Sequence, residues 1–137
     1  MKPLFGTDGI RGLAGEFPLD GATVKTIGAS FARQCEERLG RPARMVTGRD
    51  TRESGEWIEA AFHAGADSVG AHCLSSGIIT TPGVAFLTHE FEMDAGIVIS
   101  ASHNPYRDNG IKIFSPSGKK IDEITERKIE IDIHEHL

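Results

Sequence analysis

Hydrophobic positions along this chain alternate between two periods. Val24, Ile27, Phe31, Cys35 and Leu39 fall three or four residues apart, the spacing of one helical face, and Gly40 with Pro42 closes the run. Asp20 stands where an N-cap belongs, with Leu19 and Val24 placed to pack across it as a hydrophobic staple. Arg44–Thr47 then reads as a short strand and Gly48-Arg-Asp-Thr-Arg52 as the loop that follows. A second helix is expected from about Ser54, its inner face carrying Trp57, Ile58, Ala61, Phe62, Gly65 and Val69. Ala71–Leu74 is the next strand, and Thr81-Pro82 opens a short third helix reaching Leu87. The apolar run Ile97–Ile99 marks a buried strand that ends at Ser100.

Strands and helices in strict alternation imply right-handed crossovers and a largely parallel sheet. The expected fold is therefore α/β: a single three-layer α/β/α domain with a mostly parallel mixed sheet. Beyond Ser102 the pattern changes. Asn109-Gly110 is a turn signal, Ile111–Phe114 reads as a strand, and Ser115-Pro-Ser-Gly118 turns the chain again. In the tail, Ile129, Ile131 and Ile133 alternate as in a strand, whereas Asp122–Glu130 is rich in helix formers. The expectation is a helix from Asp122 that frays.

Composition narrows the function classes. With 137 residues the chain makes one domain with room for a core. A net charge of −5 with a pI near 5.6 argues against a nucleic-acid footprint. No apolar run approaches the ~18 residues of a membrane span, and the opening Met1-Lys-Pro-Leu-Phe-Gly6 lacks a signal-peptide core. Cys35 and Cys73 are isolated and fit reduced thiols better than a disulfide, so the expected location is cytoplasmic. The histidines make no metal site: His134 and His136 have one residue between them, and His63, His72 and His89 are scattered over different elements.

The candidate chemistry lies in Ala95-Gly-Ile-Val-Ile-Ser-Ala-Ser-His-Asn-Pro105. A buried strand there delivers Ser102 into a loop of small and polar residues, and open α/β sheets place their chemistry at such carboxyl ends. Ser-His-Asn-Pro by itself is an ordinary turn, since Pro105 pushes Asn104 out of the helical region. Arg11, between Gly9 and Gly12 in Phe5-Gly-Thr-Asp-Gly-Ile-Arg-Gly12, and Lys112 change that balance. They supply cations suited to a phosphate, which brings nearly two negative charges and three acceptor oxygens. Ser117-Gly-Lys-Lys120 is no phosphate loop, and the three even glycines of Phe5–Gly12 are no dinucleotide fingerprint. His103 beside Ser102 suggests a serine hydrolase only weakly, because adjacent residues on an extended segment point apart and the nucleophile elbow is missing.

Four segments together resemble the first domain of the α-D-phosphohexomutase superfamily: Phe5–Gly12, Gly48–Arg52, Ser100–Pro105 and Asn109-Gly-Ile-Lys112. They stand in that family's order, and the likeness runs from about Phe5 into the tail. Within the family the wording of the serine loop leans toward the branch acting on glucosamine phosphates. The resemblance implies that Ser102 carries a phosphoryl group and passes it to a hexosamine monophosphate, giving a bisphosphate that returns its other phosphate to Ser102. It also implies that Lys112 and Arg11 assist proton transfer and steady the phosphoryl oxygens, with His103 in support. Mg²⁺ would bind through the phosphate on Ser102.

Members of the family have four domains, and residues 1–137 correspond to the first. The metal's carboxylate loop, the sugar-recognition loop and the loop for the substrate's second phosphate belong to the others. The expected partners are therefore a hexose or hexosamine phosphate and the missing C-terminal domains, with neither nucleic acid nor membrane. The chain alone is expected to be inactive, and to self-associate through the face those domains would cover. The competing readings are a phosphomannomutase or phosphoglucomutase domain, and a phosphosugar-binding module without catalysis.

Overall fold

The computed structural model describes residues 2–136. Five strands and four helices follow in the order β1 (Ile10–Leu13), α1 (Gly21–Leu39), β2 (Arg44–Arg49), α2 (Gly55–Ser68), β3 (His72–Ile78), α3 (Thr81–Glu90), β4 (Ala95–Ile99), β5 (Asp108–Phe114) and α4 (Glu123–Glu135). The sheet order is β1-β5-β4-β2-β3. β3, β2 and β4 are parallel, while β5 pairs antiparallel with both β4 and β1. Only β5 therefore runs against the rest, and the three-layer domain with a mostly parallel mixed sheet is as expected.

The two layers of helix are unequal. α1, α2 and α4 share one core with the sheet, in which Phe31, Ile58, Phe62, Met45, Ile97, Ile111, Ile113, Ile129 and Ile133 are buried. Burial of each such side chain contributes roughly 1.5–3 kcal/mol. On the opposite face α3 alone makes a second, smaller core from Val46, Val84, Met93, Val98 and Phe114. The ends are set by local chemistry. Asp20 and Asp122 cap α1 and α4 by accepting the Thr23 and Thr125 N–H groups at 3.1 and 2.8 Å. Gly40 closes α1 in the left-handed region at φ 73°.

Several expectations need correction. β1 falls in a segment that reads as a glycine turn. Asn109-Gly110 is no turn but lies within β5, because the Asn109 side chain is buried and bonded rather than bending the chain. Trp57 is 40% exposed rather than on the inner face of α2. β2 and β3 run on to Arg49 and Ile78, and α3 is capped by Thr80 and continues to Glu90. The tail is a regular helix to Glu135: Ile129 and Ile133 are buried and Ile131 is exposed, the helical pattern rather than the alternating one. Cys35 and Cys73 are free thiols.

Candidate active site

The strand directions bring the carboxyl ends of β1, β2 and β4 to one edge, beside the start of β5. Across that edge Asp50, Ser100, Gly110 and Arg11 stand in a row. Asp50 N–H donates to Ile99 O at 3.2 Å, Ser100 N–H to Gly110 O at 3.0 Å, and Gly110 pairs with Arg11. Side chains alternate along each strand, so this row faces the same side as Val46, Val98 and Phe114, the side that α3 covers only in part.

Ser102 lies two residues beyond this row. It is exposed, and its φ of 52° is in the left-handed region that non-glycine residues seldom adopt. Its backbone is held at both ends. The Ser102 N–H donates to Ser100 Oγ at 3.0 Å, and the Ser102 carbonyl accepts from Arg52 Nη2 at 2.7 Å. Ser100 Oγ in turn donates to Asp50 Oδ2 at 2.7 Å. Neither Ser102 Oγ nor the His103 ring bonds to another described residue; both project into solvent from the loop tip.

Arg52 is the residue that composes this loop. Its side chain is 7% exposed and spends every donor locally. Nε donates to Asp50 Oδ2 at 3.1 Å. Nη1 donates to the Pro105 and Asp108 carbonyls at 2.6 and 3.1 Å, and Nη2 to the Ser102 and Asn104 carbonyls at 2.7 and 3.1 Å. Tyr106 secures the far side of the loop, its hydroxyl accepting from Glu53 N–H at 2.9 Å and donating to Thr51 O at 3.3 Å. Asn109 ties β5 to the start of α2, donating to Ser54 Oγ at 2.8 Å while its own oxygen accepts the Gly110 N–H at 2.9 Å. That bond occupies the Ser54 hydroxyl, which makes no cap to α2.

The two candidate cations lie on the same face. The stem of Arg11 passes over Gly110, where a Cβ would sit 3.0 Å from Arg11 Cγ and 2.6 Å from the Ser100 carbonyl. Only glycine fits there. Lys112, one row further along β5, has its Nζ 3.9 Å from Asp8 Oδ1 and 5.3 Å from the centre of the Phe114 ring. Asp8 belongs to the glycine-rich loop before β1. That loop lies against β5 because Gly9, at φ 85°, has no Cβ to strike the Ile111 carbonyl. Phe5–Gly12 thus holds Arg11 and Lys112 on one surface.

The structure brings Arg11 and Lys112 to one face of the sheet, near the end at which the Ser102 loop leaves β4, with His103 beside Ser102 in that loop. Asp50, Arg52, Ser100 and Asn109 stand in segments that carry the family resemblance, yet a reading of the sequence assigns none of them a part in the site. The available signal is the pair of an aspartate and an arginine two residues apart in the loop after a buried strand. A cleft of about 420 Å³, lined by Ala14, Glu53, Ser54, Trp57, Tyr106 and Arg107, flanks the far end of the serine loop, and none of the four predicted site residues lines it. Among the described residues no group of three or more His, Cys, Asp or Glu side chains is placed to hold a metal ion.

The α/β/α domain thus presents a backbone-clamped serine at its strand ends, with a lysine on the adjoining strand β5 and an arginine on β1 beyond it. The chain belongs to the family described as phosphoglucomutase/phosphomannomutase, alpha/beta/alpha domain I, which it matches over residues 2–136. It is 50% identical over its whole length to a phosphoglucosamine mutase of Koribacter versatilis, of which it covers 29%. It is also 51% identical, over 98% of its length, to one of Deinococcus deserti, of which it covers 30%. The chain thus spans less than a third of the curated relatives it matches.

Among solved structures it resembles a phosphoglucomutase/phosphomannomutase family protein from Burkholderia thailandensis. The TM-score is 0.82 at 26% identity, over 97% of this chain and 30% of that one. The Paramecium phosphoprotein pp63/parafusin, at TM-score 0.75 and 21% identity over 94% of this chain and 25% of that one, bears on the fold alone.

Proposed function

We propose that this domain carries the phosphoserine of a four-domain phosphoglucosamine mutase, with Ser102 as the residue that holds the phosphoryl group in transit. The observation supporting this most is the state of Ser102: backbone fixed, hydroxyl free, with Lys112 on the neighbouring strand β5 and Arg11 on β1 beyond it. In this reading the bond from phosphorus to Ser102 Oγ breaks as one forms to the free hydroxyl of glucosamine 6-phosphate. The resulting bisphosphate then returns its other phosphate to Ser102, leaving glucosamine 1-phosphate. Lys112 and Arg11 assist the proton transfer and steady the phosphoryl oxygens, with His103 in support; positioning and charge stabilisation supply most of the catalysis in such transfers.

The residues of this chain do not by themselves fit Mg²⁺, which requires near-octahedral oxygen ligation. One phosphate oxygen on Ser102 is the contribution this domain makes, and the remaining ligands come from outside it. The substrate is a hexosamine phosphate, and the enzyme works in the cytoplasm. No helix among the described residues is long and apolar enough to cross a membrane. Leu74 and Ile78 on β3, Phe86 on α3 and Phe91 just after it are between 58% and 64% exposed. We assign that surface to the missing domains, and expect the chain alone to self-associate through it and to be inactive.

The test is Ser102→Ala in the full-length enzyme, assayed with glucosamine 6-phosphate, mannose 6-phosphate and glucose 6-phosphate. Loss of turnover with an unchanged melting temperature, and loss of a phosphate mapped to Ser102 in the parent, is the expected result. Turnover that survives the substitution overturns the phosphoserine. A preference for mannose or glucose phosphate moves the domain to the other branch of its family.

A further inference from the structure

We propose that Arg52, acting with Asp50 and Ser100, is the positioning residue for the Ser102 hydroxyl, a role that rests on the phosphoserine reading above. An arginine offers five N–H donors in a fixed planar fork. Here all five are spent: one on Asp50, and the other four on the carbonyls of Ser102, Asn104, Pro105 and Asp108. Those carbonyls surround the loop from its catalytic end to the first residue of β5, so the guanidinium acts as a template around which the loop is folded.

The second half of the device is a relay with fixed polarity. Asp50 accepts from Arg52 Nε and from the Arg52 backbone N–H at 3.1 Å each, and accepts the Ser100 hydroxyl at 2.7 Å. Ser100 has one proton to give and gives it to Asp50. Its oxygen therefore faces the Ser102 N–H as an acceptor, at 3.0 Å. Arg52 holds the peptide group after Ser102, and Asp50, through Ser100, holds the one before it. With both fixed, and φ set at 52°, only rotation about the side-chain bond is left to Ser102 Oγ. The loop contributes almost no packing of its own, since Ser102, His103, Pro105, Tyr106 and Arg107 are all exposed. Polar contacts must therefore position it.

Charge alone does not do this. Lysine would bring a cation to the same place but has a single nitrogen that cannot span the loop. The role is thus separable from general electrostatics by Arg52→Lys, and from bulk stability by the single-hydroxyl change Ser100→Ala, which leaves the buried guanidinium in place. A nucleophile displaced by about 1 Å costs on the order of 100-fold in rate.

The experiment uses the full-length enzyme and measures kcat and KM for glucosamine 6-phosphate, with melting temperature alongside. Arg52→Lys and Ser100→Ala should each lower kcat by about 100-fold at unchanged KM, and Ser100→Thr, which keeps the hydroxyl, should restore it. In parallel, hydrogen exchange on the 137-residue chain should quicken at residues 101–105 in Arg52→Lys and stay unchanged in the core. Should Arg52→Lys fail to fold, the Ser100 pair decides. Normal kcat in Ser100→Ala overturns the proposal, as does a fall in kcat that tracks melting temperature and is not rescued by threonine. If Ser102→Ala is itself active, the phosphoserine reading falls; if it is inactive while Ser100→Ala and Arg52→Lys are normal, only the positioning role falls.

Discussion

Glu130, on the last helix, accepts the backbone N–H of Phe5 at 2.8 Å across 125 residues of sequence. The same oxygen accepts the Leu4 N–H at 2.7 Å, while the other carboxylate oxygen receives Arg127 at 2.6 Å. Glu130 is 3% exposed, so none of these bonds can be replaced easily by water. Its position explains how the glycine-rich loop is delivered to the sheet: α4 clamps the start of the segment, Gly9 lies on β5, and Arg11 emerges over Gly110.

Glu130→Ala should therefore do two things at once. Leaving the buried Phe5 N–H unpaired costs about 1–3 kcal/mol, and the half-buried Leu4 N–H loses its partner as well, visible as a lower urea midpoint at unchanged slope. It should also loosen residues 4–11, read as faster hydrogen exchange there than at Ile97–Ile99. An unchanged urea midpoint would show that Glu130 is dispensable to the arm.

Much of the architecture is legible in the sequence because apolar spacing alone carries it. Val24, Ile27, Phe31 and Cys35 are all buried as their helical period requires, and Ile97–Ile99 is a buried strand. The strand end bearing Ser102 is legible for the same reason. What the pattern conceals is residues whose partners are distant in sequence. Arg52 reads as a polar loop residue, yet it is buried by carbonyls some 50 positions away. Asn109 has the composition of a turn, but a hydroxyl 55 residues earlier lets it sit inside a strand. Trp57 falls on the helical stripe but at its margin, where the cleft beside Tyr106 leaves it partly open.

Acid should weaken the fold through Asp94. Burial alone would raise its pKa, but hydrogen bonds from Arg41 and from the Arg44 backbone, with the charges of both arginines, outweigh that and hold the carboxyl below the ordinary 3.8. The folded state thus favours the ionised form. The stability this contributes is fully present above the unfolded pKa and is lost as pH falls through the lower folded one. Chemical denaturation between about pH 6 and pH 2 should show a decline at the acid end that is smaller in Asp94→Asn. A parallel decline in both proteins would assign the acid sensitivity to other carboxylates.

Cys73 should be inert while the protein is folded. Burial, with Asp67 and Glu59 nearby, pushes its thiol up to about 12, and Cys35 is shifted upward chiefly by burial as well. The thiolate is the reactive form, so almost none is present at neutral pH. Iodoacetamide at pH 8 should leave the intact mass of the native chain unchanged and add two adducts once the chain is unfolded, one for each cysteine. Rapid native labelling at Cys73 would contradict this and place the edge strand β3 in frequent local opening.

Gly110→Ala tests the close approach on which the candidate site depends. A methyl group there would sit 2.6 Å from the Ser100 carbonyl and 2.9 Å from that of Ile10, both backbone atoms that cannot swing aside as a side chain would. Crowding of this kind typically costs about 1–3 kcal/mol, and the strands must part to relieve it. Because β4 leads into the serine loop and β1 carries Arg11, the separation falls between the two halves of the site. The variant should unfold at lower urea, and hydrogen exchange should quicken at Ser100 and Arg11 ahead of Met45 and Ile58. Wild-type stability with undisturbed exchange at those positions would mean that the sheet edge absorbs the methyl group, and that the spacing of Ser102 and Arg11 does not rest on this glycine.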